Sequence, residues 1–300
     1  MQGLVLLNKP SGITSYGAVA GIKRLTGEKR VGHTGTLDPM ATGVLPIFIG
    51  RATALCGLLL DADKREAAVR KLGISTDTDD ITGNVTDKKN VTASKEDIER
   101  AVKHFTGEIV QKPPIYSAIK QGGERLYEKA RRGETADIPT RAVTVYKAEI
   151  LSFDLPENEF SIDFHVSKGT YIRSLSRDIG ELLGCGACLS ALCRTYTGGF
   201  SLSECVSREM LTENNISDYV LSEETAVGYL REIYVTEKQA IRFSNGGQLD
   251  FDRLKINDLA EGELFRIKSD GLFLGVGRAD TVKNQLAVKC VINYPGDVKK

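Results

Sequence analysis

Between Gly32 and Ile47 the chain reads GHTGTLDPMATGVLPI, and Asp38 is its one carboxylate among glycines, threonines, prolines and aliphatic residues. The proline that follows biases Asp38 away from helical backbone and stiffens the chain beyond it, so the carboxylate is positioned. Such an aspartate is either an Asx cap of a turn or, given a cationic partner, a buried nucleophile or base. Arg173 is the best-placed partner in the sequence, since a guanidinium can fork onto a carboxylate and hold its pKa below the free value of about 3.9. Tyr171 beside it would supply an apolar wall. Of three histidines, His33 adjoins the glycine-rich loop and can approach Asp38, whereas His104 follows a helix-surface pattern and His165 falls on the polar side of its strand.

Other chemistries fit less well. Cys185 and Cys188 form a CxxC, but with no second CxxC and no paired histidines this is a poor zinc pattern. GHTGTLDP lacks the GK[ST] of a P-loop, and no dinucleotide fingerprint occurs. No metal or cofactor is expected.

The elements that must hold these residues can be read from periodicity. GLVLLNKPSG is a short apolar strand stopped by Lys9, Pro10 and Gly12, and VLPIFIG from Val44 is short enough for a buried strand. Between them Ala18, Val19, Ile22 and Leu25 fall at helical spacing, with Thr14 or Ser15 to cap and Gly27 to close. Ser94 and Asp97 open a capping box over 94–104, which buries Ile98, Ala101, Val102 and Phe105. The polar tract before it, STDTDDITGNVTDKKN, reads as a surface excursion. YSAIKQGGERLYEKARRGE reads as a strand, a Gly122-Gly123 turn and a basic helix. Phe160, Ile162, Phe164 and Val166 alternate along a strand, and then Ile172, Leu175, Ile179, Leu182 and Leu183 make a helical stripe. That change of period sets 167–170 at a strand-to-helix junction. Lys168, Tyr171 and Arg173 then project near free backbone N–H groups that suit anions.

Three hundred residues with 41% hydrophobic and 27% charged side chains suit an ordinary soluble protein of one large domain and one small one, or of two of medium size. No apolar run reaches the roughly 18 residues of a membrane span, and the start is too lightly charged for a secretory signal. A cytoplasmic chain with six reduced thiols is expected. The formal net charge of zero conceals a gradient: residues 1–60 carry six basic and two acidic side chains, residues 111–147 eight and four, and residues 201–263 six and thirteen. One end suits phosphates, although such stretches also serve simply as solvated faces. Acidic text around TENNISDYVLSEETAVGYLREIY marks a boundary, and beyond Ile233 short apolar runs broken by glycines suggest a small all-β barrel or sandwich.

LNKPSGITS, GHTGTLDPMATGVLPI, PPIYSAIK, SKGTYIRSLSRDIG and RTYTGGFSL, in this order from Gly3 to about Ser203, resemble the TruB family of tRNA pseudouridine synthases. The tail from about Ile233 looks like that family's PUA-type RNA-binding domain. The resemblance implies an α+β fold: a mixed β-sheet core with flanking helices (1–228) and a small C-terminal all-β PUA-like domain (229–300). It implies isomerisation of uridine 55 in the T loop of tRNA without a cofactor, by a monomer that needs no obligate protein partner. Asp38 would match the essential aspartate, acting as nucleophile toward the sugar or as base at C2′. The target base would be flipped out. Tyr171 would lie against the uracil and assist proton removal from C5, Arg173 would pair with Asp38, and Leu192 would close the pocket. His33 would fill the space left in the RNA loop, and Lys9, Pro10 and Lys168 would support the phosphate and ribose side.

Two positions depart from the family pattern. Glu66 stands where the family carries a tyrosine that stacks on the flipped base, and no tyrosine occurs between Cys56 and Pro114. Either Glu66 turns to solvent and another ring substitutes, or turnover suffers and the protein serves as a tRNA-binding or tRNA-folding module. Cys193 stands where the family usually has an arginine next to Arg194.

Overall fold

The computed structural model describes residues 1–59, 62–117, 120–121, 124–125, 132 and 138–296. Strand β1 (Gly3–Lys9) leads through helix α1 (Ser15–Thr26) and β2 (Val31–His33) to β3 (Thr42–Ile49). A 3-10 segment and α2 (Cys56–Leu59) precede β4 (Lys64–Leu72), β5 (Ile74–Thr76), β6 (Val85–Lys88) and α3 (Lys95–His104). Next come β7 (Gly107–Gln111), β8 (Lys120–Gln121), β9 (Glu124–Arg125), the long β10 (Arg141–Asp154) and β11 (Glu159–Val166). Helix α4 (Ile172–Leu182), β12 (Ala187–Thr197), β13 (Phe200–Ser201) and β14 (Val206–Ser207) complete the first part.

These strands form a mixed sheet in the order β14-β1-β3-β12-β4-β11-β10-β7, parallel where β1 meets β14 and β3 meets β12 and antiparallel in the other pairings along it. Beyond it, β15 (Arg231–Tyr234), α5 (Glu237–Ser244), β16 (Leu249–Asp250), α6 (Phe251–Leu254), β17 (Leu264–Ser269), β18 (Leu272–Asp280) and β19 (Gln285–Val291) follow. They build a second sheet in the order β15-β17-β18-β19-β16. The glycine-broken apolar runs thus become strands, and two short helices are added that the reading of a small all-β unit left out.

Local chemistry explains the helix limits. The Thr14 side chain accepts the Gly17 N–H at the start of α1, and Gly27 closes it with φ 67°, a left-handed conformation that glycine adopts without steric cost. Ser94 and Asp97 form the capping box of α3. In α4 the buried stripe is Ile172, Leu175 and Ile179. Leu182, expected to extend it, is exposed because the helix ends there, and Leu183 turns against the core instead. Residues 120–121 pair antiparallel with 124–125; the Gly122-Gly123 turn and the basic helix expected after it lie outside the described residues.

Strands β1 and β3 are covered on both faces, which accounts for their unbroken apolar text. Val5, Leu7, Leu45, Ile47 and Ile49 join the main core with α1 and α4. Leu4, Leu6, Val44 and Phe48 pack on the other side in one cluster with Phe273, Val276 and Ile292 of the second sheet and its exit. Gly43 lets β3 lie close to β12: its φ is 105°, and a Cβ there would fall 2.2 Å from the Arg194 carbonyl oxygen.

Candidate active site

The loop carrying Asp38 is pinned on both sides. Buried Ser15 accepts the Leu37 N–H (2.9 Å) and donates to the Leu37 carbonyl (3.0 Å). On the far side the Pro39 carbonyl accepts the Gly12 N–H at 2.9 Å, and the Ala41 N–H closes a turn onto the Asp38 carbonyl. The aspartate's backbone makes the turn while its side chain points elsewhere.

That side chain meets Arg173 of the first turn of α4. Nε lies 2.8 Å from Oδ2 and Nη2 donates to Oδ1 at 3.0 Å, the fork geometry that makes arginine–carboxylate pairs strong. The Arg173 side chain is 5% exposed and the Asp38 side chain 30%, so the pair lies in a cleft whose floor is the guanidinium and whose open side is the carboxylate. Arg173 is itself fixed: Nη1 donates to the Thr78 carbonyl and lies 3.7 Å from Asp80 Oδ2, and Nη2 also donates to the Tyr116 carbonyl. Thr78, Thr82 and the Thr82 backbone all donate to Asp80 Oδ1. The STDTDD tract, read as a surface excursion, therefore folds inward, with Thr76 and Asp80 buried. Its polarity satisfies arginines of α4, since Asp79 also pairs with Arg177.

Tyr171 is held by groups the sequence did not single out. Gln111, fully buried on β7, accepts the Tyr171 N–H (2.8 Å) and donates to the Tyr171 carbonyl (3.0 Å). That N–H was expected to be open to anions; the Gln111 side chain occupies it. The Arg141 guanidinium covers the Tyr171 ring, 4.8 Å from its centroid. Leu192 is buried on β12 opposite Ala68. Among the described residues no hydrogen bond or ion pair joins His33 to Asp38. Its imidazole is pushed toward the neutral form, first by burial and then by Arg194.

Lys9 and Pro10 were expected on the phosphate and ribose side. Instead Lys9 is fully buried, and its ammonium donates to the carbonyls of Pro10, Ile13 and Pro39 at 2.8, 2.7 and 3.3 Å. Burial draws its pKa down to about 8 although Asp38 opposes the shift. It clips two loops beneath the site and has no donor to offer a phosphate. Lys9→Met should therefore cost about 3 kcal/mol of stability, roughly 1 kcal/mol per lost hydrogen bond, in a denaturant titration. The salt dependence of RNA binding should not change; a shallower slope would return Lys9 to the phosphates. Lys168 is exposed at the strand-to-helix junction, the one member of that set facing solvent.

Glu66 does not turn to solvent. It is 1% exposed on β4, opposite Arg194 on one side and Phe164 on the other, and ion-paired with Lys64 at 2.7 Å. Alternation along β4 sets Glu66, Ala68, Arg70 and Leu72 on the buried face. Arg194 donates to the Val44 and Gly35 carbonyls, both at 2.8 Å. Around Asp38 the charges are thus Arg173, Lys64, Lys9 and Arg194 against Asp80 and Glu66. The expectation that Arg173 holds Asp38 below the free carboxylate range is corrected: burial pushes the carboxyl up, Arg173 opposes it, and Asp80 and Glu66 add to the rise. Cys185 and Cys188 are buried thiols, and burial pushes Cys188 up to about 11, away from the thiolate that metal binding needs.

Residues 23–172 match the family model for the TruB family pseudouridylate synthase N-terminal domain, and 173–235 match that for the tRNA pseudouridylate synthase B C-terminal domain. The chain is 42% identical over 278 residues to tRNA pseudouridine synthase B of Clostridium novyi, spanning 92% of this chain and 95% of that one. It is 41% identical over 281 residues to the protein so named in Burkholderia lata, 93% and 87%. Among solved structures, the archaeal box H/ACA sRNP Nop10–Cbf5 complex superposes with a TM-score of 0.70 at 26% identity, over 98% of this chain and 87% of that one. An H/ACA RNP bound to a substrate RNA containing 2′-deoxyuridine, at 24% identity and TM-score 0.72, shares the fold. An aspartate forked by a buried arginine on a mixed sheet, together with likeness over nearly the whole length, makes this chain a member of the TruB family of pseudouridylate synthases.

Proposed function

We propose that the chain converts the T-loop uridine of tRNA, position 55, to pseudouridine, with Asp38 acting on the nucleotide and Arg173 as its counter-ion. The observation that carries this reading is the forked Asp38–Arg173 pair, open to solvent on the carboxylate side only. Tyr171 and Leu192 would enclose the flipped uracil, and His33 and Lys168 would meet the RNA outside it. Residues 1–228 would form the catalytic domain and 229–300 a PUA-like unit that grips RNA, in a cytoplasmic monomer. Among the described residues no helix is long and apolar enough to cross a membrane.

Tritium at uridine C5 leaves the base when C5 becomes bonded to the sugar. A tRNA transcript labelled this way should release one equivalent, and the same transcript with cytidine at position 55 should release none. Equal release from both would assign the enzyme to another uridine.

The acid limb supplies a second test. Asp38 must be charged to act, and its carboxyl is raised above the usual value near 3.8, so activity should start to fall at a higher pH than a free carboxylate would give. Removing a neighbouring negative charge should move this limb to lower pH, and Asp80→Asn should show that shift.

Burial of an acid at this site also supports the second reading, a tRNA-binding or tRNA-folding module with impaired catalysis. It requires salt-sensitive binding, little tritium release from the parent and restored release in Glu66→Tyr.

A further inference from the structure

Exchanging a C1′–N1 bond for a C1′–C5 bond leaves one hydrogen on C5 that must go. When the detached uracil anion attacks C1′ through C5, the N1 lone pair becomes an N1=C6 bond and C5 turns tetrahedral, holding both the sugar and its hydrogen. A base must then take that proton. The C5–H pair becomes the C5=C6 bond, the N1=C6 pair returns to N1, and N1 acquires a proton.

The groups around Asp38 differ in their freedom to be that base. Asp38 is gripped through both oxygens by Arg173 and is assigned to the sugar. Asp80 Oδ1 accepts three hydrogen bonds from Thr78 and Thr82, and its Oδ2 faces Arg173. Glu66 is different: it lies on the same buried sheet face as Leu192, and among the described residues its one ion pair is with Lys64, whose ammonium lies 2.7 Å from Oε2. It stands opposite Arg194, which donates to the Gly35 and Val44 carbonyls at the two ends of the Asp38 loop, and this register sets it at the wall of the cleft. A buried carboxylate held by a single lysine keeps lone pairs for an incoming proton, which is what a proton acceptor needs.

We propose that Glu66 is the catalytic base that removes the C5 proton, taking the part the resemblance gave to Tyr171, whose ring lies under the Arg141 guanidinium, and that it returns a proton to N1 as its conjugate acid. Lys64 is the positioning residue, holding the carboxylate against the sheet. This rests on the isomerase reading above and makes Glu66 a replacement in function for an aromatic residue, not a defect.

The test compares the parent, Glu66→Gln, Glu66→Asp and Glu66→Tyr on tRNA carrying protium or deuterium at uridine C5. General-base catalysis is worth on the order of 10²- to 10⁴-fold, so Glu66→Gln should lose turnover by that factor. It should also show a primary deuterium isotope effect that the parent lacks, while keeping its tRNA affinity. Glu66→Asp should recover part of the rate, and Glu66→Tyr should be slower than the parent. The same isotope effect in parent and Glu66→Gln, turnover within about threefold of the parent, or a faster Glu66→Tyr would each overturn the proposal. Should the parent form no pseudouridine, the isomerase reading fails instead, and circular dichroism melts identify a variant that has lost its fold.

Discussion

Asp38→Asn should lower kcat/KM on the order of 10⁴-fold or more, the scale seen when a group acting directly on the reacting atoms is removed, and leave tRNA affinity nearly unchanged. The asparagine keeps the shape and one oxygen for Arg173 Nη2, while the turn around it depends on the Ser15 hydroxyl and on Gly12 and Ala41 backbone contacts, none of which involves the Asp38 side chain. Packing is thus preserved, and what goes is the negative charge. Single-turnover tritium release at saturating enzyme, beside filter binding of the same transcript, separates the two effects. A variant that keeps its rate would show that Asp38 only anchors the arginine.

Arg173→Leu should be damaging for a different reason. Removing one partner of a buried ion pair costs about 3–5 kcal/mol, and here a single guanidinium faces Asp38 and Asp80 and also donates to the Thr78 and Tyr116 carbonyls. The melting temperature should fall by roughly 10 °C, with catalysis lost as well. Arg173→Lys keeps a charge but not the fork, and should recover more stability than activity. Combining Arg173→Leu with Asp38→Asn should be less destabilising than the two losses summed, because the second change removes a charge the first left unmatched. Strict additivity in that cycle would mean the pair is not energetically coupled.

The chain's local signals gave much of this arrangement. The proline after Asp38, the change of period at Ser167 to Thr170 and the capping residues of α1 and α3 all act within a few positions, so strands, helices and the facing of Arg173 were readable. What was not readable depends on strand register. Gln111 grips Tyr171 from sixty residues away, and Asp80 reaches Arg173 only because the tract after β5 folds back on Leu189. Neither leaves a local mark. The burial of Glu66 did have a signal: Ala68 and Leu72 alternate with it on β4, so one face of the strand had to carry an acid inward. Lys9 misled because a lysine beside a proline and glycine turn looks like a phosphate contact, whereas its ammonium is closed off by three carbonyls.

The apolar seam behind β1 and β3 has a bearing on how the molecule comes apart. Leu4, Leu6, Val44 and Phe48 share their apolar cluster with Ala52 and Leu55 of the 3-10 segment, with Ala226 and Val227, and with Phe273, Val276 and Ile292, so the strand bearing Lys9 and the strand that follows the Asp38 loop owe part of their solvent shield to the far end of the polypeptide. Trimming the chain at residue 228 would remove that part of the cover and expose apolar side chains beside the catalytic sheet, and heat should melt both sheets in one step.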